Sequence, residues 1–207
     1  LKHLKLHHPA ANCPNHEVIE IFTQLKNLKN LQSLEIEYLC NLSDKKYQVY
    51  RALSKSLPRL FSLKSLIIKL KAFVSLLIPT RMDEITALFS GIQKCHKLIN
   101  LQIESQHQFQ STEIPQLTSL LKNLPNLQVL TLDFSNWQMN YKGPLLSGLV
   151  YLKNLVALNL KLTCNPEFNP STLSTHDIRN FMDLFKNNIS LQKLSLEFSG
   201  HSDAIEL

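Results

Sequence analysis

The segment Leu127-Gln128-Val129-Leu130-Thr131-Leu132-Asp133-Phe134 carries leucine at its first and fourth positions, then an apolar residue at every second position. Period two sends Leu130, Leu132 and Phe134 to one face of a short strand and Val129, Thr131 and Asp133 to the other. The phrase Leu-x-x-Leu-x-(Leu/Ile) is written seven times, at Leu1-Leu4-Leu6, Leu31-Leu34-Ile36, Leu63-Leu66-Ile68, Leu98-Leu101-Ile103, Leu127-Leu130-Leu132, Leu155-Leu158-Leu160 and Leu191-Leu194-Leu196. Its starts lie 30, 32, 35, 29, 28 and 36 residues apart. Most copies add one more inward residue, at Tyr38, Leu70, Phe134, Leu162 and Phe198. A strand so short cannot bury its apolar face alone, but parallel copies stacked side by side share one core.

Between the strands the apolar period becomes helical. Val18-Ile19-Phe22-Leu25, Val49-Tyr50-Leu53-Leu57, Ile85-Leu88-Phe89-Ile92, Ile114-Leu117-Leu121-Leu124, Leu145-Leu149-Leu152 and Ile178-Phe181-Met182-Phe185 follow i, i+3, i+4, i+7 spacing in whole or part. Capping oxygens and first-turn acids precede several of them, at Ser43-Asp44, Pro79-Thr80, Ser111-Thr112-Glu113 and Thr175 with Asp177. A strand, a return helix and another parallel strand, repeated, predict an α/β solenoid.

This pattern resembles the leucine-rich repeat family along essentially the whole chain, and its long period is similar to the ribonuclease-inhibitor-like and cysteine-containing types. The resemblance implies a horseshoe with a parallel sheet on the concave face, helices on the convex face, and a non-enzymatic role in protein–protein interaction. The Asn or Cys that such repeats carry after the strand stands here at Cys40, Asn136 and Cys164 and is replaced by Ala10, Ala72, His107 and Gly200. The ladder is therefore broken. The expectation is one repeat domain over residues 1–207, cut from a longer chain.

Leucine supplies 41 of the 207 residues and glycine only four, which excludes collagen-like, linker-like and low-complexity readings. No window approaches 18 uninterrupted apolar residues, so no membrane-spanning helix is predicted. Cys13, Cys40, Cys95 and Cys164 form no CxxC pair, and a reduced, intracellular, cytoplasmic setting is expected without structural zinc or disulfides.

The net charge of +6 admits an anionic partner. Against this, the 18 Lys outnumber the four Arg, the residue that makes bidentate phosphate and base contacts. The outward strand positions hold Lys5, Lys69, Lys161 and Lys193 against Glu35, Glu37, Glu104, Asp133 and Glu197, so that face is close to neutral. The surplus sits near helix ends, at Lys26, Lys29, Lys55, Arg59, Lys94, Lys97, Lys122, Lys153 and Lys186. Two readings stand for these cations. They complement the helix dipoles, or they form a Lys-rich edge that binds nucleic acid.

No nucleotide loop, nucleophile elbow or metal-ligand spacing is present, so neither a catalytic residue nor a cofactor is expected in these residues. An enzyme whose catalytic part lies elsewhere remains an alternative. A protein partner is expected at the outward acids Glu35, Glu37, Glu104 and Asp133 with Gln102, and at two departures from the repeat. One is the segment with Met139, Tyr141 and Trp137, the only tryptophan, which either covers a solenoid edge or anchors a partner. The other is the apolar run holding Phe73 and Leu77, which either fills the core between layers or forms an exposed patch.

Overall fold

A computed structural model describes residues 1–8, 15–40, 46–72, 83–109, 114–137, 145, 148–162, 179, 182–183, 186 and 188–197. Each leucine phrase becomes a strand: β1 His3–His8, β2 Ser33–Cys40, β3 Ser65–Ala72, β4 Asn100–Phe109, β5 Val129–Trp137, β6 Ala157–Leu162 and β7 Lys193–Glu197. Among the described residues four α-helices intervene: α1 Asn15–Gln24, α2 Lys46–Ser56, α3 Asp83–Ile92 and α4 Ile114–Lys122. The chain is α/β, with a seven-stranded, wholly parallel sheet whose strands lie in sequence order.

Register follows the leucines. Leu4, Leu34, Leu66, Leu101, Leu130, Leu158 and Leu194 are aligned across successive strands, and the third motif residues align in the same way. A slip by one residue would send every inward side chain to the opposite face, so the apolar row fixes the pairing. The one irregularity lies in β4 against β5, where the register shifts between Ser105 and Gln108.

The inward row and the helices' apolar stripes form a single core. From Leu34 through Leu162 the inward Leu, Ile, Tyr and Phe of β2 to β6 are all buried, together with Val18, Phe22, Val49, Leu53, Leu88, Phe89 and Leu117 from the helices. Each such side chain contributes roughly 1.5–3 kcal/mol on leaving water. Phe22 meets Tyr38 edge-on with ring centroids 6.4 Å apart, tying α1 to β2. Among the described residues the outermost strands have a strand neighbour on one side only: Leu4 and Leu6 are half-buried, and Leu194 is exposed.

The last periodic apolar residue of the first two helices, Leu25 or Leu57, falls in a short 3-10 turn, Leu25–Asn27 or Leu57–Arg59. Two successive turn bonds then lead into the next strand: Leu28 N–H donates to Leu25 O (2.9 Å) and Leu31 N–H to Leu28 O (2.9 Å). The same double turn recurs at Leu60 and Leu63, Cys95 and Leu98, Leu124 and Leu127, and Leu152 and Leu155. At the start of each strand from β2 to β7, two consecutive N–H groups share one carbonyl of the preceding repeat, as Gln32 and Ser33 do with Lys2 O at 2.8 and 3.0 Å. Asparagine side chains extend this ladder. Asn126 donates to His96 O (2.9 Å), Asn154 to Pro125 O (2.9 Å) and the buried Asn188 to Leu152 O (2.7 Å). Among the described residues no helix is long and apolar enough to cross a membrane.

Candidate interaction surface

Because side chains alternate, the face of the sheet away from the helices carries three outward rows. The first runs Ser33, Ser65, Asn100, Val129 and Ala157 from β2 to β6 and holds no charge. The second holds Glu35, Ile67, Gln102, Thr131 and Asn159 over the same strands. The third, towards the strand ends, is ionic from β2 onward: Glu37, Lys69, Glu104, Asp133, Lys161 and Glu197 lie in register from β2 to β7, with His7 beside Glu37 on β1. From β2 to β6 the surface is thus uncharged along one side and ionic along the other.

Cross-strand pairs hold the ionic side. Lys5 Nζ lies 2.8 Å from Glu35, His7 Nδ1 3.0 Å from Glu37, Lys69 Nζ 3.8 Å from Glu104 and Lys161 Nζ 3.2 Å from Glu197. Gln102 donates to Glu104 on the same strand, and Asn100 donates to Ser65 Oγ at 3.1 Å. The Glu35 carboxylate holds the Lys5 ammonium above the ordinary lysine range, by hydrogen bond first and by charge second. Glu104 and Asp133 are the one place where like charges face each other across adjacent strands. Burial pushes the Asp133 carboxyl upward, and Glu104 and Glu197 push the same way against Lys161. Exposed pairs of this kind contribute little stability, but they fix the geometry that another molecule meets.

The sequence placed Glu35, Glu37, Gln102, Glu104 and Asp133 on one surface, and the sheet brings them together there. Their cationic neighbours were readable as residues but not as partners, since pairing needs the register. Trp137 ends β5 beyond Asp133, and its side chain is outside what is described. Met139, Tyr141, Phe73 and Leu77 also lie outside the described residues. Cys95 and His96, adjacent in sequence, part company. The Cys95 thiol is buried and donates to Leu57 O (3.5 Å) and Gly91 O (3.8 Å), whereas His96 is exposed with Nδ1 3.2 Å from Asn123 O. Burial pushes the Cys95 thiol up to about 12, which keeps it neutral and poorly nucleophilic. Among the described residues no three His, Cys, Asp or Glu converge as metal ligands.

No family model matches the chain, and no curated protein matches it either. The functional reading therefore rests on the geometry itself.

Proposed function

We infer that the chain is a leucine-rich-repeat solenoid acting as a non-enzymatic protein–protein interaction module, a scaffold or subunit of a larger assembly. The outward sheet face is its concave binding surface. The observation that carries this reading is the contrast between the two faces of one sheet. Inward positions from β2 to β5 are apolar and buried save for Ser105, while the outward positions register with them hold serine, asparagine, glutamine, isoleucine and both charges. A fixed core under a varied surface lets specificity change without loss of fold.

Six inter-strand gaps at about 4.8 Å give a face roughly 29 Å wide, enough for a standard protein contact. A partner of balanced charge suits it: its apolar and amide groups pack over Ile67, Gln102 and Thr131, and its charges align with the ionic row. The test compares proteins retained by the wild-type chain with those retained by Thr131→Arg, which sets a long cation in the middle of the face, and by Trp137→Ala. Both variants should keep the melting temperature within a few degrees and lose at least tenfold in affinity for the same partner. A partner held equally well by both variants would place its contact elsewhere.

A further inference from the structure

Parallel strands all begin at one edge of the sheet, so every helix-to-strand turn is delivered to that edge. The six turn segments 25–32, 57–64, 92–99, 121–128, 149–156 and 186–192 contain nine Lys or Arg and no Asp or Glu. Lys26, Lys29, Arg59, Lys94, Lys97 and Lys153 are exposed and make no ion pair among the described residues. Dipole complementation accounts for cations at helix ends, each by roughly 0.3–1 kcal/mol. It does not account for the absence of acids from the strand-side half of every turn, nor for what stands between the cations.

The same edge carries exposed apolar side chains. Phe61 is 56 % exposed, Tyr151 47 % and Ile189 96 %, three of the seven large exposed hydrophobics among the described residues. Phe61 occupies in the second of these turns the place that Lys29, His96, Pro125, Lys153 and Ile189 occupy in the others, so two lysines share one line with Phe61 and Ile189. Lys122 Nζ sits 4.7 Å from the centre of the half-exposed Tyr151 ring, so a cation and an aromatic ring from neighbouring turns already stand together on this edge. Cations beside exposed aromatic rings are the combination that holds a single nucleic-acid strand, cations on phosphates and rings under bases.

We propose that this helix-exit edge binds single-stranded nucleic acid through its phosphates, with Phe61 and Tyr151 stacking on bases. Adjacent strands lie about 4.8 Å apart, so six turns make a strip roughly 24 Å long, enough for about four nucleotides. A strip one or two side chains wide fits a single strand better than it fits a bilayer surface, which calls for an apolar plane. The proposal is separate from the protein-binding face, since the edge and the sheet surface share no residue.

The experiment is fluorescence anisotropy of a labelled oligothymidylate titrated with the protein at several salt concentrations, alongside the matching duplex and vesicles of phosphatidylcholine and phosphatidylserine. Log affinity should fall linearly with log salt, with a slope of about −0.7 for each phosphate neutralised. Lys94→Gln, Lys97→Gln and Lys153→Gln combined should flatten that slope by roughly 2 and weaken binding on the order of 100-fold near 0.1 M salt. Phe61→Ala should weaken binding about tenfold with the slope unchanged. The side chains changed are exposed, and unchanged melting temperatures identify the effects as loss of contacts. Salt-insensitive binding, wild-type affinity in the triple variant, equal affinity for the duplex, or binding to the vesicles alone would each overturn the proposal.

Discussion

Gly91 lies near the end of α3, where that helix crosses α2. A Cβ there would stand 2.6 Å from both Cα and O of Ser54 and 2.8 Å from its Oγ, about 0.8 Å short of the 3.4 Å at which ordinary contact begins. Two of the three obstacles are backbone, so no rotamer change relieves them and α2 and α3 must separate. Overpacking of this kind costs about 1–3 kcal/mol, and an immovable neighbour puts the cost at the upper end. Ala recovers roughly 1 kcal/mol of helix propensity over Gly, so Gly91→Ala should destabilise by about 2 kcal/mol, or roughly 4–8 °C in Tm. Gly148 supplies the control. Its Cβ would meet Leu121 Cδ1, Thr118 Cα and Thr118 Cγ2 at 3.3 Å, a crowding of only about a tenth of an ångström. Gly148→Ala should therefore be neutral or stabilise by up to about 1 kcal/mol. Urea unfolding followed by circular dichroism measures both. Adding Ser54→Ala to Gly91→Ala should restore nothing, because the hydroxyl is the farthest of the three atoms. A Gly91→Ala variant as stable as the wild type, or one rescued by Ser54→Ala, would refute the claim that main-chain approach sets the α2–α3 spacing.

Two further predictions concern titration. Cys95 should resist thiol reagents in the folded protein at pH 8 and react once denaturant is added, read by mapping the labelled peptide. Its folded value lies near 12 against an ordinary 9.0, so the stability tied to the neutral thiol is intact below pH 9 and declines as pH climbs from there towards 12. Asp133 has a raised carboxyl value, so its contribution to stability is fullest below the ordinary 3.8 and is lost as pH rises through the raised value. Asp133→Asn should accordingly unfold at a higher temperature than the wild type at pH 7, with the two curves converging at pH 3 in thermal melts.

The sheet was legible because each leucine phrase encodes both which face is buried and where the next strand aligns. Tyr38, Leu70, Phe134 and Leu162, read as extensions of the phrase, are all buried. In β4 the corresponding position is Ser105, buried as well, where the apolar pattern alone offers no signal. The helices were legible from their stripes, but their ends were not. Leu25, Leu57, Leu124 and Leu152 continue the helical spacing yet sit in tight turns, since a turn bonded from i to i+3 keeps nearly the same inward phase as a helix. The side chains of Cys40 and Asn136, near the ends of their strands, and of Cys164 lie outside what is described, while a second row of amides is visible elsewhere. At Asn126 and Asn154 it stands immediately before the first leucine, a placement visible in sequence only to a reader who knows which carbonyls the preceding repeat leaves open. The ion pairs of the outward face escaped for the same reason: residues 30 or more apart become neighbours only when register is known.

Leucine spacing sets the sheet, but small residues set the approach of α2 to α1 and of α3 to α2, while α4 carries the larger, buried Leu120 at the equivalent place. Ser56 of α2 is buried with its hydroxyl 3.5 Å from Thr23 O of α1, and Gly91 and Gly148 take the corresponding place one and three repeats later. Val49 and Ala52, on the same flank of α2, are buried too. The 32-residue offset from Leu31 to Leu63 maps Val49, Ala52 and Ser56 onto Glu17, Glu20 and Gln24 of α1. These three are exposed, and with Ile21, Leu4 and Leu28 they border an open groove beside α1. Side-chain size therefore distinguishes α1 from α2 and α3 where the leucine pattern treats all three alike.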